Sequence, residues 1–496
     1  MSELGKNPVV KEILKDYSKV WALNHSLAVM GWDRETHMPV GGARSRGMAS
    51  GQLAMMVQKA NVALKGLAEK AERQRDLDDV ELGIVRAIKR GLHYYTRVPP
   101  ELVDEIERVT AEATVVWRGA RKKSDYKLFK PHLAKIIELN RKVAEKLGYK
   151  GHPYNALLDL YEEDFRVKEA DAIFDRLVPQ TRKILAKVKA QGVFPAKHPL
   201  ESVKYDLKAM EAVSDGIVKL LQMPTDTFKM DVSTHPFTVE IAPDDVRITT
   251  RYEDSDFRAS LFGTIHESGH ALYGLGVDQA LAYTPAEGGA SLGVHESQSR
   301  FWENVVGRSM EFTKLATPLL KKNLKFLSKY DARGLFLYFN TVRTSYIRVE
   351  ADELTYNLHI ALRYEIEKKM LSGQVGASEV ADVWNDTFEE YLGMRPPNDA
   401  QGVLQDVHWS GGSMGYFPTY TLGNVIAGMI WHKMGDGKMA RDAVAKGDIM
   451  RLRTWLKTNI HRWGSVYPPK ALQQKVFGEA YNPSRLIAYQ EAKFLS

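Results

Sequence analysis

Thr264-Ile265-His266-Glu267-Ser268-Gly269-His270-Ala271-Leu272-Tyr273 reads H-E-x-x-H. On a helix, positions i and i+4 share a face, so His266 and His270 project side by side. Two neutral imidazoles at that spacing can hold one metal ion, and zinc is the usual occupant. Glu267, next to the first histidine, is placed to act as general base on the water that such an ion activates. The flanks predict the helix. Asp254-Ser255-Asp256 offers N-cap candidates, Phe257, Leu261, Phe262, Ile265 and Leu272 make an apolar stripe, and Gly274 and Gly276 end the pattern. Two histidines on a helix can also serve packing alone, so a third ligand has to separate the readings.

Gly288-Gly289-Ala290-Ser291-Leu292-Gly293-Val294-His295-Glu296-Ser297-Gln298-Ser299-Arg300 supplies a candidate. Its glycine-rich part predicts a loop. His295-Glu296 opens a second helical pattern whose apolar residues are Phe301, Trp302, Val305 and Val306. Glu296, on a helix packed against the first, completes a His2Glu set with one position open. Glu303, on the same helix, is expected to stand outside that set.

Composition narrows the function classes. The chain has 496 residues, 44% hydrophobic and 26% charged, as in an ordinary globular protein. A net charge of +7, spread along the chain, argues against nucleic-acid binding. The absence of cysteine excludes disulfides, Cys-based zinc sites and thiol catalysis. The first residues lack a basic segment followed by an apolar run, and no stretch reaches the ~18 apolar residues of a membrane span. These bounds predict a cytoplasmic enzyme with no membrane or nucleic-acid partner.

Helical spacing dominates the chain. It predicts helices over 8–38, 43–73, 77–95, from Pro99-Pro100 to about 122, from Pro131 to about 147, over 168–192, over 332–371, from a Ser378 cap to near Gly393, and over about 418–434. Arg395-Pro396-Pro397-Asn398-Asp399 predicts a loop, and Gly411-Gly412-Ser413-Met414-Gly415 a second, more flexible one. The one clear β signal is Phe237–Ile241, a turn at Ala242-Pro243-Asp244, then Val246–Thr250: a hairpin before the metal helix, with an edge for an extended peptide. With no repeat or long linker, the expectation is one mostly α-helical domain over 1–496, its zinc core at about 230–425.

Several further motifs accompany H-E-x-x-H. His235-Pro236-Phe237, Asp245-Val246-Arg247-Ile248-Thr249, His295-Glu296-Ser297-Gln298, Ile347-Arg348-Val349-Glu350-Ala351-Asp352 and Gly402-Val403-Leu404-Gln405-Asp406-Val407-His408-Trp409 occur in that order, and Trp32-Asp33, Met38-Pro39 and Gly41-Gly42 precede them. Together they resemble the M32 family of metallocarboxypeptidases over essentially the whole chain. The resemblance implies a gluzincin-type helical body with a deep active-site groove. It implies one zinc ion per subunit, with cobalt able to substitute, and a homodimer. It also implies release of single residues from peptide C-termini, with broad side-chain tolerance and poor action on C-terminal proline.

Site roles follow from the chemistry. An oxyanion needs hydrogen-bond donors besides the metal. His408-Trp409-Ser410-Gly411-Gly412 through Tyr420 is similar to the His…Gly-Gly…Tyr stretch of thimet oligopeptidase-like enzymes, which gives Tyr420 that role, with Tyr416 and His408 as further candidates. The alternative for either tyrosine is a core or groove-wall aromatic. His235 resembles the substrate-binding histidine that the angiotensin-converting enzyme group carries on a strand before the zinc helix; the alternative is a structural histidine before proline. An exopeptidase must hold a free carboxylate, which suits the planar fork of arginine. Arg348, read as lying on a long helix, is the favoured anchor and Arg247 the second, against salt bridges to Asp352 and Asp245. Glu350 and Asp352 could orient the zinc ligands instead. The nearest rival function is a related zinc oligopeptidase that cuts short peptides internally; a more distant one is a metal-binding helical scaffold without catalysis.

Overall fold

The computed structural model describes residues 5–495. The chain forms two compact units. The first takes in the residues up to His93, then Pro199–Phe339 and Lys433–Ala480; the second takes in Tyr94–His198, Asn340–His432 and the chain from Tyr481 on. Helices make up most of both.

In the first unit the helix Pro8–Thr36 begins where Asn7 accepts the Val9 N–H at 2.9 Å. It packs Val10, Ile13 and Val20 with Ile84, Ile88, Leu92 and Val277 in one buried cluster. The span expected as a single helix over 43–73 is two, Ala43–Ala63 and Lys65–Glu72. Phe228–Val232 (β1), Thr238–Ala242 (β2) and Asp245–Thr250 (β3) form a three-stranded sheet of order β1-β3-β2. The hairpin is β2 and β3, with Thr238 opposite Ile248 and a bulge between Glu240 and Ala242. Strand β1 has no counterpart in the sequence reading. It pairs parallel to β3, Met230 beside Ile248, and neither face of it is buried enough to write a clear alternation. Val246 and Ile248 of the central strand are buried, and β2 is an edge.

The H-E-x-x-H helix is Arg258–Gly274. It starts without the acidic cap that Asp254-Ser255-Asp256 suggested. Asp256 sits at φ 45°, a conformation that aspartate tolerates, and its carboxylate holds Arg258 (2.7 and 2.5 Å) and the Tyr338 hydroxyl (2.7 Å). Leu261, Phe262, Ile265, Ala271, Leu272 and Tyr273 are all buried, so the helix is interior on nearly every side. The second helix, Leu292–Arg300, is capped by the Ser291 hydroxyl on Val294 N at 3.1 Å and runs into a π-helical stretch, Phe301–Gly307. Gly269 is where the two helices meet: a Cβ there would lie 2.7 Å from Gln298 O and from Ser299 Cα.

In the second unit, the helix Tyr126–Leu147 starts earlier than Pro131 because Asp125 accepts the Lys127 N–H at 3.0 Å, leaving Pro131 inside it. The continuous helix expected over 332–371 is a correction. The chain makes Ala332–Phe339, a single 3₁₀ turn at Arg348–Glu350, and Tyr356–Ser372. Asp352 enforces the break by accepting the N–H groups of Arg343, Leu354 and Thr355 at 2.9 Å each. Gly411–Gly415 is pinned at its flanks by the buried Glu367, which accepts Trp409 Nε1 (2.7 Å), Gly415 N (2.9 Å) and the Tyr154 hydroxyl. Gly415 has φ 99°, and a Cβ would lie 2.8 Å from Leu157 O, so this position demands glycine.

The contact at Gly269 generates a prediction. Gly269→Ala must push the two helices apart, at about 1–3 kcal/mol of overpacking, and with them the side chains on either side of it. A lowered Tm and a weakened zinc affinity should appear together. Unchanged Tm and zinc titration would mean that the helices are free to give way.

Candidate metal centre and active site

His266 and His270 leave the Arg258–Gly274 helix one turn apart, their ring centroids 5.1 Å from each other. Glu296 Oε2, from the second helix, lies 3.6 Å from His266 Nε2 and 3.5 Å from His270 Nε2. Three ligand atoms around one tetrahedral cation with bonds of ~2.1 Å stand ~3.4 Å apart, so the spacing and the N,N,O chemistry fit a zinc-like divalent ion. Among the described residues this is the one group of three His, Asp or Glu side chains that converge closely enough to do so.

The surroundings hold each ligand by its far side. Arg300 Nε donates to Glu296 Oε1 at 2.7 Å, and the Ser299 hydroxyl has two acceptors within reach, Glu296 O at 2.7 Å and Oε2 at 3.0 Å. Glu303 Oε2 lies 2.9 Å from His266 Nδ1. Glu303 is itself gripped by Arg300 Nη1 at 3.3 Å and Arg308 Nη2 at 3.2 Å. Burial pushes both carboxyls up, but the arginines and histidines outweigh it. Glu296 is held well below the ordinary carboxylate range and Glu303 is brought down to about 2. Burial pushes His270 down; at His266 the nearby Glu296 and Glu303 outweigh burial and push the imidazole up. On the other flank, His270 Nδ1 lies 3.1 Å from His295 Nδ1, and His295 Nε2 lies 3.1 Å from Glu240 Oε1 on β2. With each ligating Nε2 left bare, both Nδ1 atoms carry hydrogen, toward Glu303 in one case and His295 in the other.

Glu267 is buried and its carboxylate is fixed: the Thr238 hydroxyl lies 2.7 Å from Oε2. His235 occupies the bend between β1 and β2 rather than a strand, with its ring exposed. Arg247 is on β3, where Nε and Nη2 pair with the two Asp245 oxygens at 2.7 and 2.6 Å and the guanidinium lies over Trp32, 5.7 Å from the ring centre. Trp32 also meets Phe237 edge-on at 5.6 Å, so three of the sequence motifs form one cluster.

In the second unit, Arg348, His408, Tyr416 and Tyr420 come together around Asp406. Arg348 is buried. Its Nε and Nη2 lie 3.0 and 2.9 Å from Asp406 Oδ1, Nη1 donates to the Tyr356 hydroxyl at 2.9 Å, and the backbone N–H donates to Gln405 at 2.8 Å. Its ion-pair partner is thus Asp406, not Asp352. Arg363 takes the other Asp406 oxygen at 2.7 and 2.5 Å. His408 Nε2 is 3.2 Å from the Tyr420 hydroxyl, and burial pushes this imidazole down to about 4. The Tyr416 ring packs at 5.6 Å from His408 and 5.3 Å from Tyr420. Glu350 and Asp352 lie with this unit, Asp352 acting as a backbone cap.

Sequence reading overlooked Thr238, Glu240 and Glu367, and gave Glu303 no contact with a ligand. Only Glu303 left a signal: Glu296, Arg300 and Glu303 are spaced i, i+4, i+7, an alternating charge pattern along one face. Glu303 lies outside the three-residue set, and its contact is with His266 Nδ1 rather than with the Nε2 that faces Glu296.

A family model described as Carboxypeptidase Taq (M32) metallopeptidase matches residues 12–494. The chain is 43% identical over 499 residues to thermostable carboxypeptidase 1 of Pyrococcus furiosus, with 100% of each chain covered. It is 35% identical over 493 residues to carboxypeptidase 1 of Bacillus subtilis, covering 98% of this chain and 97% of that one. Among solved structures, the Pyrococcus furiosus carboxypeptidase superposes with a TM-score of 0.97 at 43% identity, covering 99% of this chain and 100% of that one. The M32 carboxypeptidase of Deinococcus radiodurans R1 gives 0.94 at 30% identity, covering 98% and 99%.

The geometry around His266 predicts graded effects. Glu296→Ala should all but abolish zinc binding, whereas Glu303→Gln, which removes only the support of a ligand, should weaken it about 10- to 100-fold. Competition against a chelator of known affinity measures both. Equal affinities for wild type and Glu303→Gln would deny Glu303 any part in holding His266.

Proposed function

The chain belongs to the Carboxypeptidase Taq (M32) metallopeptidase family and is a metallocarboxypeptidase, and from that premise we propose how it works. It releases single residues from peptide C-termini, with one zinc ion per subunit held by His266, His270 and Glu296, replaceable by cobalt. Glu267 serves as general base. The observation that carries this reading is the meeting of three ligand atoms within 4.8 Å of one another, two of them from the helix that also presents Glu267 and the third from the helix packed against it.

A divalent cation in that set supplies a Lewis acid and lowers the pKa of water to ~7. Glu267 takes the proton of the water that attacks the scissile carbonyl and hands it to the departing amine nitrogen. Tyr420 is the proposed oxyanion donor. Its hydroxyl is oriented by His408, which stays neutral near pH 7 because burial disfavours its cation; Tyr416 packs beside them as the alternative donor. His235, exposed before β2, is proposed to meet the substrate backbone. Poor action on C-terminal proline follows the same scheme, since that residue offers no N–H and a fixed φ at the scissile bond. Side-chain tolerance elsewhere is proposed to be broad.

An arginine is proposed to hold the free carboxylate. Arg348 is the favoured anchor and Arg247 the second. Each is already fixed by a carboxylate of the protein, which orients the fork and leaves less charge for a substrate. A homodimer is proposed on the family resemblance, without nucleic-acid or membrane partners. No helix among the described residues is long and apolar enough to cross a membrane. A cytoplasmic location is proposed; with no cysteine, the chain needs no oxidising compartment to fold.

Two measurements test the reading. Glu267→Gln should keep its metal and lose about 10²- to 10⁴-fold in kcat, the range of a general base; near-normal turnover with verified metal would remove Glu267 from the mechanism. One peptide, offered as free acid and as C-terminal amide, separates exopeptidase from oligopeptidase, because only the acid has a carboxylate to hold. Wild type should strongly prefer the acid, and Arg348→Ala should lose about 10²-fold in kcat/KM on the acid alone. An acid-selective loss in Arg247→Ala instead would move the anchor to β3, and preference for the amide would favour the oligopeptidase.

A further inference from the structure

The Thr238 hydroxyl has two acceptors within reach, both belonging to Glu267: the carboxylate oxygen Oε2 at 2.7 Å and the residue's own carbonyl oxygen at 3.1 Å. A hydroxyl owns one proton, so it serves one acceptor at a time or shares unequally between them. The shorter, charged acceptor prevails while Glu267 is ionised. We propose that Thr238 is a positioning residue of the reaction, one that occupies Glu267 Oε2 and thereby leaves Oε1 as the oxygen that takes and returns the proton. The proposal rests on the reading of Glu267 as general base.

The fold gives Thr238 the rigidity that such a role needs. It is the first residue of β2, paired with the buried Ile248 of the central strand. The residue before it is clamped from both sides: Phe237 N donates to the Thr249 hydroxyl at 3.0 Å, and Thr249 N donates to Phe237 O at 2.8 Å. The Thr249 hydroxyl is in turn approached by Ser233 Oγ at 2.7 Å. Threonine adds its own stiffness, because branching at Cβ restricts χ1. Two residues along the same strand, and so on the same face, Glu240 meets His295, the neighbour of His270. One face of β2 therefore steadies both the base and, at one remove, a metal ligand.

The second acceptor gives the contact a use during turnover. When water gives up a proton, its O–H bond breaks and the new bond forms at Glu267 Oε1, so the carboxyl becomes neutral. Its pull on the Thr238 proton then weakens, and that proton has Glu267 O beside it to turn to. As the proton leaves Oε1 for the amine nitrogen, the carboxylate returns and recovers the Thr238 bond. The interaction is thus strongest in the state that must accept a proton, and Thr238 never loses its partner in the state that must donate one.

The test uses the full-length, metal-loaded enzyme. Thr238→Val keeps the shape and removes the donor. Its kcat should fall about 10- to 100-fold, the scale of one charge-assisted hydrogen bond. KM, zinc affinity, Tm and the cobalt-substituted absorption spectrum should stay as in wild type. Thr238→Ser, which restores the hydroxyl without the branch, should recover kcat to within about 3-fold. In a Glu267→Gln background Thr238→Val should cost nothing further, since the two act as one unit. A kcat unchanged in Thr238→Val overturns the proposal. So does a loss that Thr238→Ser does not repair, one that arrives with weakened zinc binding or a lowered Tm, or one that persists in full on top of Glu267→Gln. Should Thr238→Val not fold, Thr238→Ala takes its place with the same readouts, and failure of both assigns Thr238 to the fold alone. An active Glu267→Gln enzyme defeats the general-base reading itself. An inactive one beside a normal Thr238→Val defeats only the role of Thr238.

Discussion

Two helices touch backbone to backbone at Gly269, and the candidate metal centre depends on that contact. Residues on either side of the glycine reach the ligand set, and the residues it touches, Gln298 and Ser299, follow closely on Glu296. A side chain at 269 would hold the helices apart by more than ligand spacing tolerates. Closeness also shuts out water, so every charge brought in needs a partner. Arg300 and Arg308 answer Glu296 and Glu303; Thr238 answers Glu267. Sealing continues outward, with the Arg308 guanidinium lying over the Phe262 ring, 3.8 Å from its centre.

The candidate ligand set was legible because it is local. H-E-x-x-H declares itself by helical spacing, and Glu296 by a turn-rich approach and a second periodic run. The hairpin was legible for the same reason, its strands being neighbours in sequence. What stayed hidden depends on partners far along the chain. Strand β1 is stabilised by β3, which lies beyond β2. Thr238 looks like any strand residue until Glu267, 29 positions on, is placed beside it. Arg348 kept helical spacing with its neighbours, but that spacing was overridden by Asp352, whose carboxylate collects three backbone N–H groups and stops a helix from running through. A carboxylate that prefers the backbone to a nearby arginine leaves no mark on periodicity.

In the second unit two of the sequence motifs turn out to be halves of one network. Gln405 accepts the Arg348 N–H and returns a donor to Tyr346 O at 3.1 Å, while Asp406 binds the guanidiniums of Arg348 and Arg363. Asp406 is thereby held well below the ordinary carboxylate range, the two arginines outweighing burial. At His408 burial disfavours the cation first, and the two arginines add to that against the pull of Asp406. The motif spacing thus records a charge arrangement as much as a set of contacts.

The four charges behind the metal ligands, Glu296 and Glu303 against Arg300 and Arg308, cancel. These two carboxylates are therefore neutralised without a cation, unlike the ligands of small zinc modules, which are unfolded without their metal. Nothing in this balance calls for the ion during folding, so metal loading is expected to follow it, with a stabilisation that depends on the free ion concentration by mass action. A pair of imidazoles and one carboxylate rank divalent metals by the general affinity order and add little discrimination of their own. Which ion sits in the enzyme is then decided largely by supply, so the metal a purified sample carries reports on the medium in which the cells grew as much as on the protein.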